Sequence, residues 1–197
     1  MGWLLLVLQN PYPNLYMMVT VKDKSFKLFI DEQEIASRVA ELGARISQDY
    51  EGKRPLFIPV LNGSFMFAAD LLKNISVDCE VTFVKVASYE AMETKGQVEE
   101  ILGLEKDLKD RHIVVVEDIV DTGITMTEIL RNIRVFHPAS VEIATMFLKP
   151  DALRRELSLK YVGKEIANKF VVGYGLDYDG YGRNLRSVYQ LHESENS

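Results

Sequence analysis

Thiol chemistry is nearly absent from this 197-residue chain. Cys79 is its single cysteine, which excludes an intrachain disulfide and any site built on several thiolates. Basic charge is also scarce: 23 Lys plus Arg stand against 29 Asp plus Glu, a net charge of −6. That is the wrong balance for a protein that tracks nucleic-acid phosphates with a basic stripe, so no nucleic-acid partner is expected. The N-terminal apolar run Trp3 to Leu8 covers only six residues, where a membrane span needs roughly 20. No Lys or Arg precedes it and no small-residue cleavage site follows cleanly, so a secretory leader is not expected. Leu6 sits where a Met-Gly myristoylation pattern wants Ser or Thr. The sequence therefore reads as reduced, soluble and cytoplasmic, with no membrane partner. GxSxG, Walker A, GxGxxG and HExxH are missing, and His112, His137 and His192 stand isolated. Triad hydrolase, P-loop, dinucleotide-fold and zincin readings thus lack their parts.

What remains is ordinary globular material, 47% hydrophobic and 26% charged, long enough for one domain with a sizeable core. Residues 20–192 are assigned to that domain, 1–19 to an N-terminal extension and 193–197 to a polar tail. Phe26 to Ile30 reads as a strand, and Asp31 can cap a helix in which Ile35, Val39, Leu42 and Ile46 share one face. A buried strand from Leu56 to Leu61 follows, then the turn Asn62-Gly63-Ser64 and an apolar helix from Phe65 to Leu72. Another strand is expected over Glu80 to Ser88. The polar, aperiodic stretch Glu90 to Leu108 reads as a functional loop. Ile113 to Val116 is a β-branched run suited to burial on both faces of a parallel sheet. A helix over Thr125 to Phe136 and strands at Val141 to Lys149, Phe170 to Tyr174 and Ser187 to Leu191 complete the pattern. Strands alternating with helices predict an α/β domain with a mainly parallel sheet.

The most informative stretch is VVVEDIVDTGITMTEIL, Val114 to Leu130. A buried strand runs into three closely spaced acids, then a Thr-Gly turn and a helix. The amides of Thr122, Gly123, Ile124 and Thr125 stand at the helix start, where the helix dipole favours a phosphate. Gly123 lets a ligand approach the backbone, and the hydroxyls of Thr122 and Thr125 add donors. Glu117 and Asp118 can accept from vicinal sugar hydroxyls or bind Mg²⁺ through water. Asp121 then falls between the sugar and whatever is attached to it. A bland strand-turn-helix cap would not need this crowd of carboxylates at the end of a parallel strand, where open α/β sheets bind ligands.

The run EDIVDTG resembles the phosphoribosyl-pyrophosphate (PRPP) motif of type I phosphoribosyltransferases. From about residue 20 to 192 the chain is similar to the hypoxanthine(-guanine) members of that family. The resemblance implies a mainly parallel twisted sheet flanked by helices, with a small hood formed by terminal segments. It implies that the turn Leu61, Asn62, Gly63 and Ser64 binds pyrophosphate through amides exposed by an often cis peptide. Asn62 occupies a position frequently held by Lys or Arg, so no cationic side chain is expected there. Ser88 and Tyr89 match the head of a mobile loop closing over the reacting centre. Lys149 matches the lysine that donates to a purine 6-oxo group. In KFVVGYGLDY, Lys169 to Tyr178, Phe170 would stack on the purine while Val171 and Leu176 complete the base site. Asp177 would coordinate a second Mg²⁺ and Arg183 would grip pyrophosphate.

By this resemblance the expected function is transfer of 5-phosphoribose from PRPP to a 6-oxopurine (hypoxanthine, with guanine next). The products are the nucleotide monophosphate and pyrophosphate, with Mg²⁺ as cofactor, Asp121 as general base and a homodimer or homotetramer as the working form. Two other readings are weighed against it: a xanthine-preferring or other-base transferase, and a phosphoribosyltransferase-fold regulator that binds RNA. A receiver-type signalling domain fails on spacing. Lys149 follows Glu117 by only 32 positions, too few for the two strands and the phospho-acceptor acid that would have to lie between.

Overall fold

The computed structural model describes residues 18–86, 101–102 and 107–192. The described residues open with an antiparallel hairpin, β1 (Met18–Val21) and β2 (Lys24–Ile30). Helix α1 (Glu32–Asp49) follows at once, because the Asp31 carboxylate accepts from the Gln33 and Glu34 amides at 2.9 and 2.8 Å. Next come β3 (Leu56–Leu61), α2 (Phe65–Lys73), and the short strands β4 (Glu80–Val81), β5 (Val84–Val86) and β6 (Ile101–Leu102). The second half contains β7 (His112–Val120), α3 (Ile124–Arg134), β8 (Ser140–Leu148), a 3₁₀ turn at Pro150–Ala152 and β9 (Tyr161–Glu165). Two strands close the chain, β10 (Val171–Val172) and β11 (Val188–Leu191).

The large sheet has the order β6-β5-β3-β7-β8-β9, with β4 also on β3. Its strands pair in parallel except β5 with β6. Helices cover both faces. Ile35, Val39, Leu42 and Ile46 of α1 pack with Phe67 and Leu71 of α2 against Val114 and Val116. Met126, Ile129 and Ile133 of α3 cover Ile113 and Val115 on the other side. The central strand is therefore dry on both faces, as its run of β-branched residues requires. Each such side chain contributes about 1.5–3 kcal/mol on burial, enough for this strand to carry acids at its end. The chain leaves β3 toward β5 on one side, and β7 then lies on the other, a topological switch that opens a crevice between β3 and β7.

A second, smaller sheet joins the two ends of the described chain in the antiparallel order β1-β2-β11-β10. This is the hood.

Several expectations need correction. The strand expected over Glu80 to Ser88 breaks at Thr82 and Phe83, with Phe83 half-exposed; Ser88 and Tyr89 lie outside the described residues. So does most of the loop Glu90 to Leu108, but its last residue, Leu108, is fully buried in the α3-side core. The strand expected from Phe170 to Tyr174 shrinks to two residues. Gly173 (φ 100°) and Tyr174 (φ 51°) turn the chain out of extended geometry, and the buried Tyr174 hydroxyl donates to Asp70 at 3.0 Å. Strands β1 and β9 had no expectation; in β9, Gly163 interrupts the β-branched signature that would have announced it.

Candidate active site

The carboxyl ends of β3, β7 and β8 lie side by side, and the sequence turns from apolar to polar at that edge. A cleft of about 320 Å³ opens there, lined by Leu61, Glu117, Asp118, Asp121, Thr122 and Thr125 among others. The first wall is the turn after β3. The Leu61–Asn62 peptide is cis, and Gly63 lies against Asp118 so closely that a Cβ would collide with the carboxylate.

Glu117 and Asp118 form the floor. Burial pushes the Glu117 carboxyl well above the ordinary carboxylate range, and the neighbouring Asp118 charge and hydrogen bond push it further. Burial also raises Asp118, against the hydrogen bond from Glu117, the Ile119 amide at 2.8 Å and the positive field of Arg183. Burial thus works against the charged form of both carboxyls, more strongly for Glu117 than for Asp118.

The far wall is the start of α3. Gly123 caps the helix at φ 75°, in the left-handed region that favours glycine. A Cβ there would also meet Leu157 at 2.8 Å. The first turn contains no acid and no capping side chain except Thr122, whose Oγ1 accepts weakly from the Ile124 amide at 3.4 Å. The helix thus presents its amides and the positive end of its dipole to the cleft.

Lys149 follows β8 directly and is held by its own amide, which donates to the Val120 carbonyl at 3.0 Å. It is only 7% exposed, and its Nζ lies 2.7 Å from Asp121 Oδ2. A buried ammonium is tolerated only with such a partner.

The hood meets the turn after β3 where Gly175 lies against the Gly63 carbonyl. Phe170, just before β10, is 44% exposed. Its ring lies 6.2 Å from Phe26 and edge-on to Tyr178 at 5.9 Å. In the turn that follows, Arg183 Nη1 donates to the Gly175 carbonyl at 2.6 Å and Nη2 pairs with Asp177 at 2.6 Å. The other Asp177 oxygen accepts from the Gly180 amide at 2.6 Å.

A family model described as the phosphoribosyl transferase domain matches residues 29–179. This chain belongs to the phosphoribosyltransferase family. The phosphoribosyltransferase is 38% identical over 168 residues to the hypoxanthine-guanine phosphoribosyltransferase of Mycobacterium avium, covering 82% of this chain and 83% of that one. It is 37% identical over 169 residues to the hypoxanthine phosphoribosyltransferase of Haemophilus influenzae, covering 84% and 94%. Among solved structures it is similar to a hypoxanthine-guanine phosphoribosyltransferase of Bacillus anthracis, with TM-score 0.76, 30% identity and coverage of 85% and 97%. The hypoxanthine phosphoribosyl transferase of Trypanosoma cruzi gives TM-score 0.78 at 34% identity, covering 88% and 95%. The parallel sheet with flanking helices is the type I phosphoribosyltransferase fold.

In the phosphoribosyltransferase, Leu61, Glu117, Asp118, Asp121, Thr122, Gly123 and Thr125 line one cleft, with Gly63 against Asp118 and Lys149 paired with Asp121. Three more of the expected residues are engaged within the fold. Ser64 is fully buried, and its amide and hydroxyl both donate to the Val60 carbonyl, at 3.3 and 2.6 Å; it shapes the turn and has no donor left for an anion. Leu176 packs into the core, and its amide and carbonyl are both bonded to Gly173, so it offers a base nothing polar. Asp177 has both oxygens engaged by Arg183 and Gly180, and no group of three or more metal-ligating side chains forms among the described residues. Val171 is buried in β10 and its neighbour Phe170 is open. Beside these, Lys24 Nζ lies 4.4 Å from the Tyr178 ring centre. A lone Lys in an alternating strand reads as a solvated face, so no sequence signal marks it.

Proposed function

We propose that this phosphoribosyltransferase transfers 5-phosphoribose from PRPP to a 6-oxopurine, hypoxanthine first and guanine next, releasing pyrophosphate and the nucleotide monophosphate. The observation that carries this reading is the Lys149–Asp121 pair. A nearly buried ammonium and a carboxylate that is 45% exposed on its side chain stand 2.7 Å apart between the phosphate-ready helix start and the hood. A 6-oxopurine supplies a group for each, its oxo acceptor for Lys149 and its imidazole N–H for Asp121. An ammonium has three donors, so Lys149 can keep one on Asp121 while another meets the oxo group. Adenine carries an amino donor at that position and leaves the second lysine donor without an acceptor, a mismatch that buried polar sites reject strongly.

In the reaction the bond from the ribose anomeric carbon to the diphosphate oxygen breaks. The electron pair leaves with pyrophosphate, and a purine imidazole nitrogen bonds to that carbon. The proton displaced from the ring goes to an oxygen of Asp121. Glu117 and Asp118 hold the ribose hydroxyls, and the amides at the start of α3 hold the 5-phosphate, so the sugar is fixed while the bond exchanges. Arg183, already beside the Gly63 turn through Gly175, meets the departing charge. The donor chemistry fits Mg²⁺: two desolvated neighbouring carboxyls, relieved by a cation, suit an ion that takes one or two carboxylates plus substrate phosphates and keeps several waters. When bound, Mg²⁺ neutralises charge on the diphosphate. Among the described residues no helix is long and apolar enough to cross a membrane, which is consistent with action on soluble substrates.

The test is incubation with PRPP, Mg²⁺ and, separately, hypoxanthine, guanine, xanthine, adenine and uracil, following pyrophosphate and nucleotide. Hypoxanthine and guanine should turn over and adenine and uracil should not. Turnover of adenine or uracil at comparable rates would overturn the assignment.

A further inference from the structure

The turn of the β1–β2 hairpin lies far in sequence from the loop after Asp177, yet it places three consecutive residues on it. Lys22 forms an ion pair with Asp179, and its ammonium lies over the Tyr181 ring at 5.5 Å. Asp23 accepts from the Tyr178 hydroxyl at 3.0 Å. Lys24 directs its ammonium at the face of Tyr178, 4.4 Å from the ring centre, and lies 5.9 Å from the centre of Phe170. Behind these stands Phe26, fully buried, with ring contacts to both Phe170 and Tyr178 at 6.2 and 6.3 Å. Phe170 and Tyr178 meet edge to face at 88°.

This is more than a hydrophobic patch. An edge-to-face ring pair has a weak orientational preference of its own, and both rings are partly open to solvent. An ammonium over the π-face of one ring and near the other supplies the missing directional force, worth more as the site is desolvated. Lys22 and Asp23 fasten the turn from which Lys24 projects.

We propose that Lys24 is a base-positioning residue: its ammonium holds the Phe170–Tyr178 ring pair in the orientation in which Phe170 stacks on the purine. The inference rests on the reading of Phe170 as the stacking ring. It assigns to the N-terminal hairpin, which contributes nothing to the phosphate or ribose positions, a share of the affinity for base and none of the affinity for PRPP.

Three variants test it, Lys24→Met, Lys24→Arg and Phe170→Leu, with melting temperatures taken for each. Lys24→Met retains the apolar stem and removes the charge, so the KM for hypoxanthine should rise about threefold to tenfold, with kcat and the KM for PRPP unchanged. Lys24→Arg should restore the wild-type KM, since a guanidinium stacks on the same ring face. Phe170→Leu should raise the base KM at least as far. If Phe170→Leu raises it and Lys24→Met does not, the role given to Lys24 is wrong. If Lys24→Met lowers kcat and raises both KM values together, or Lys24→Arg fails to rescue, Lys24 only supports the scaffold and the proposal falls. If Phe170→Leu leaves the base KM untouched, the stacking assignment fails, and the proposal fails with it.

Discussion

At the carboxyl end of the parallel sheet, each group over the cleft is fixed by buried backbone. Asp118 lies against Gly63, Lys149 is held by the Val120 carbonyl, and the α3 amides are aimed by a glycine at φ 75°, where other residues are strained. The hood is built differently. Its β10 strand has two residues, its rings are partly exposed, and its loop is tied down by side chains at a hairpin turn. The first region is set on a core of dry strands. The second is adjustable by single side-chain changes. The contrast matches a division of labour in which the sheet end handles the ribose and phosphates and, through Lys149, the edge of the base, while the hood holds the face of the base.

The largest effect expected is at the seam between the regions. Asp121→Asn retains the shape and a partner for Lys149 but cannot take a proton at neutral pH. Its kcat should fall by roughly 10²-fold or more, with PRPP affinity nearly unchanged in direct binding measurements. Loss of PRPP binding with turnover retained at saturation would move Asp121 from the chemistry to the scaffold. Lys149→Met comes next: the KM for hypoxanthine should rise by about tenfold or more as a charged hydrogen bond to the oxo group is lost. Unaltered selectivity for hypoxanthine over adenine in that variant would contradict the role given to Lys149.

A smaller effect concerns stability and separates the sheet end from the hood in another way. The folded value of Glu117 lies above its unfolded value of about 4.3. The stability it contributes is therefore complete below that pH and is lost as pH rises toward the folded value. Glu117→Gln mimics the protonated form at every pH. The free variant should melt a few degrees higher than wild type at pH 7–8, with the gain vanishing near pH 4. A gain independent of pH, or none at neutral pH, would show that the acid pair is not strained by burial.

How much of this could be read from residues alone follows the same divide. The sheet end was legible because its signals are local: Ile113 to Val116 announces a strand dry on both faces, and the acids and the Thr-Gly turn follow it directly. The pairing of Lys149 with Asp121 was not, since it depends on β7 and β8 lying side by side in a particular register. Ser64 looked like an anion donor because a sequence does not show that its hydroxyl turns back to the Val60 carbonyl. In the hood the local signals mislead. Phe170 to Tyr174 reads as a strand, but glycine and positive φ bend it away after two residues, and Leu176 goes into the core. Lys24 meets Tyr178 only because residues more than 150 positions apart are joined through β2 and β11.

The division of labour itself is tested most directly by calorimetric titration of PRPP with Mg²⁺ into Glu117→Gln and Phe170→Leu beside the wild type. A ribose contact to a charged group is worth enough that Glu117→Gln should bind PRPP about tenfold more weakly, whereas Phe170→Leu should bind it as the wild type does. Equal weakening in both variants would contradict the account.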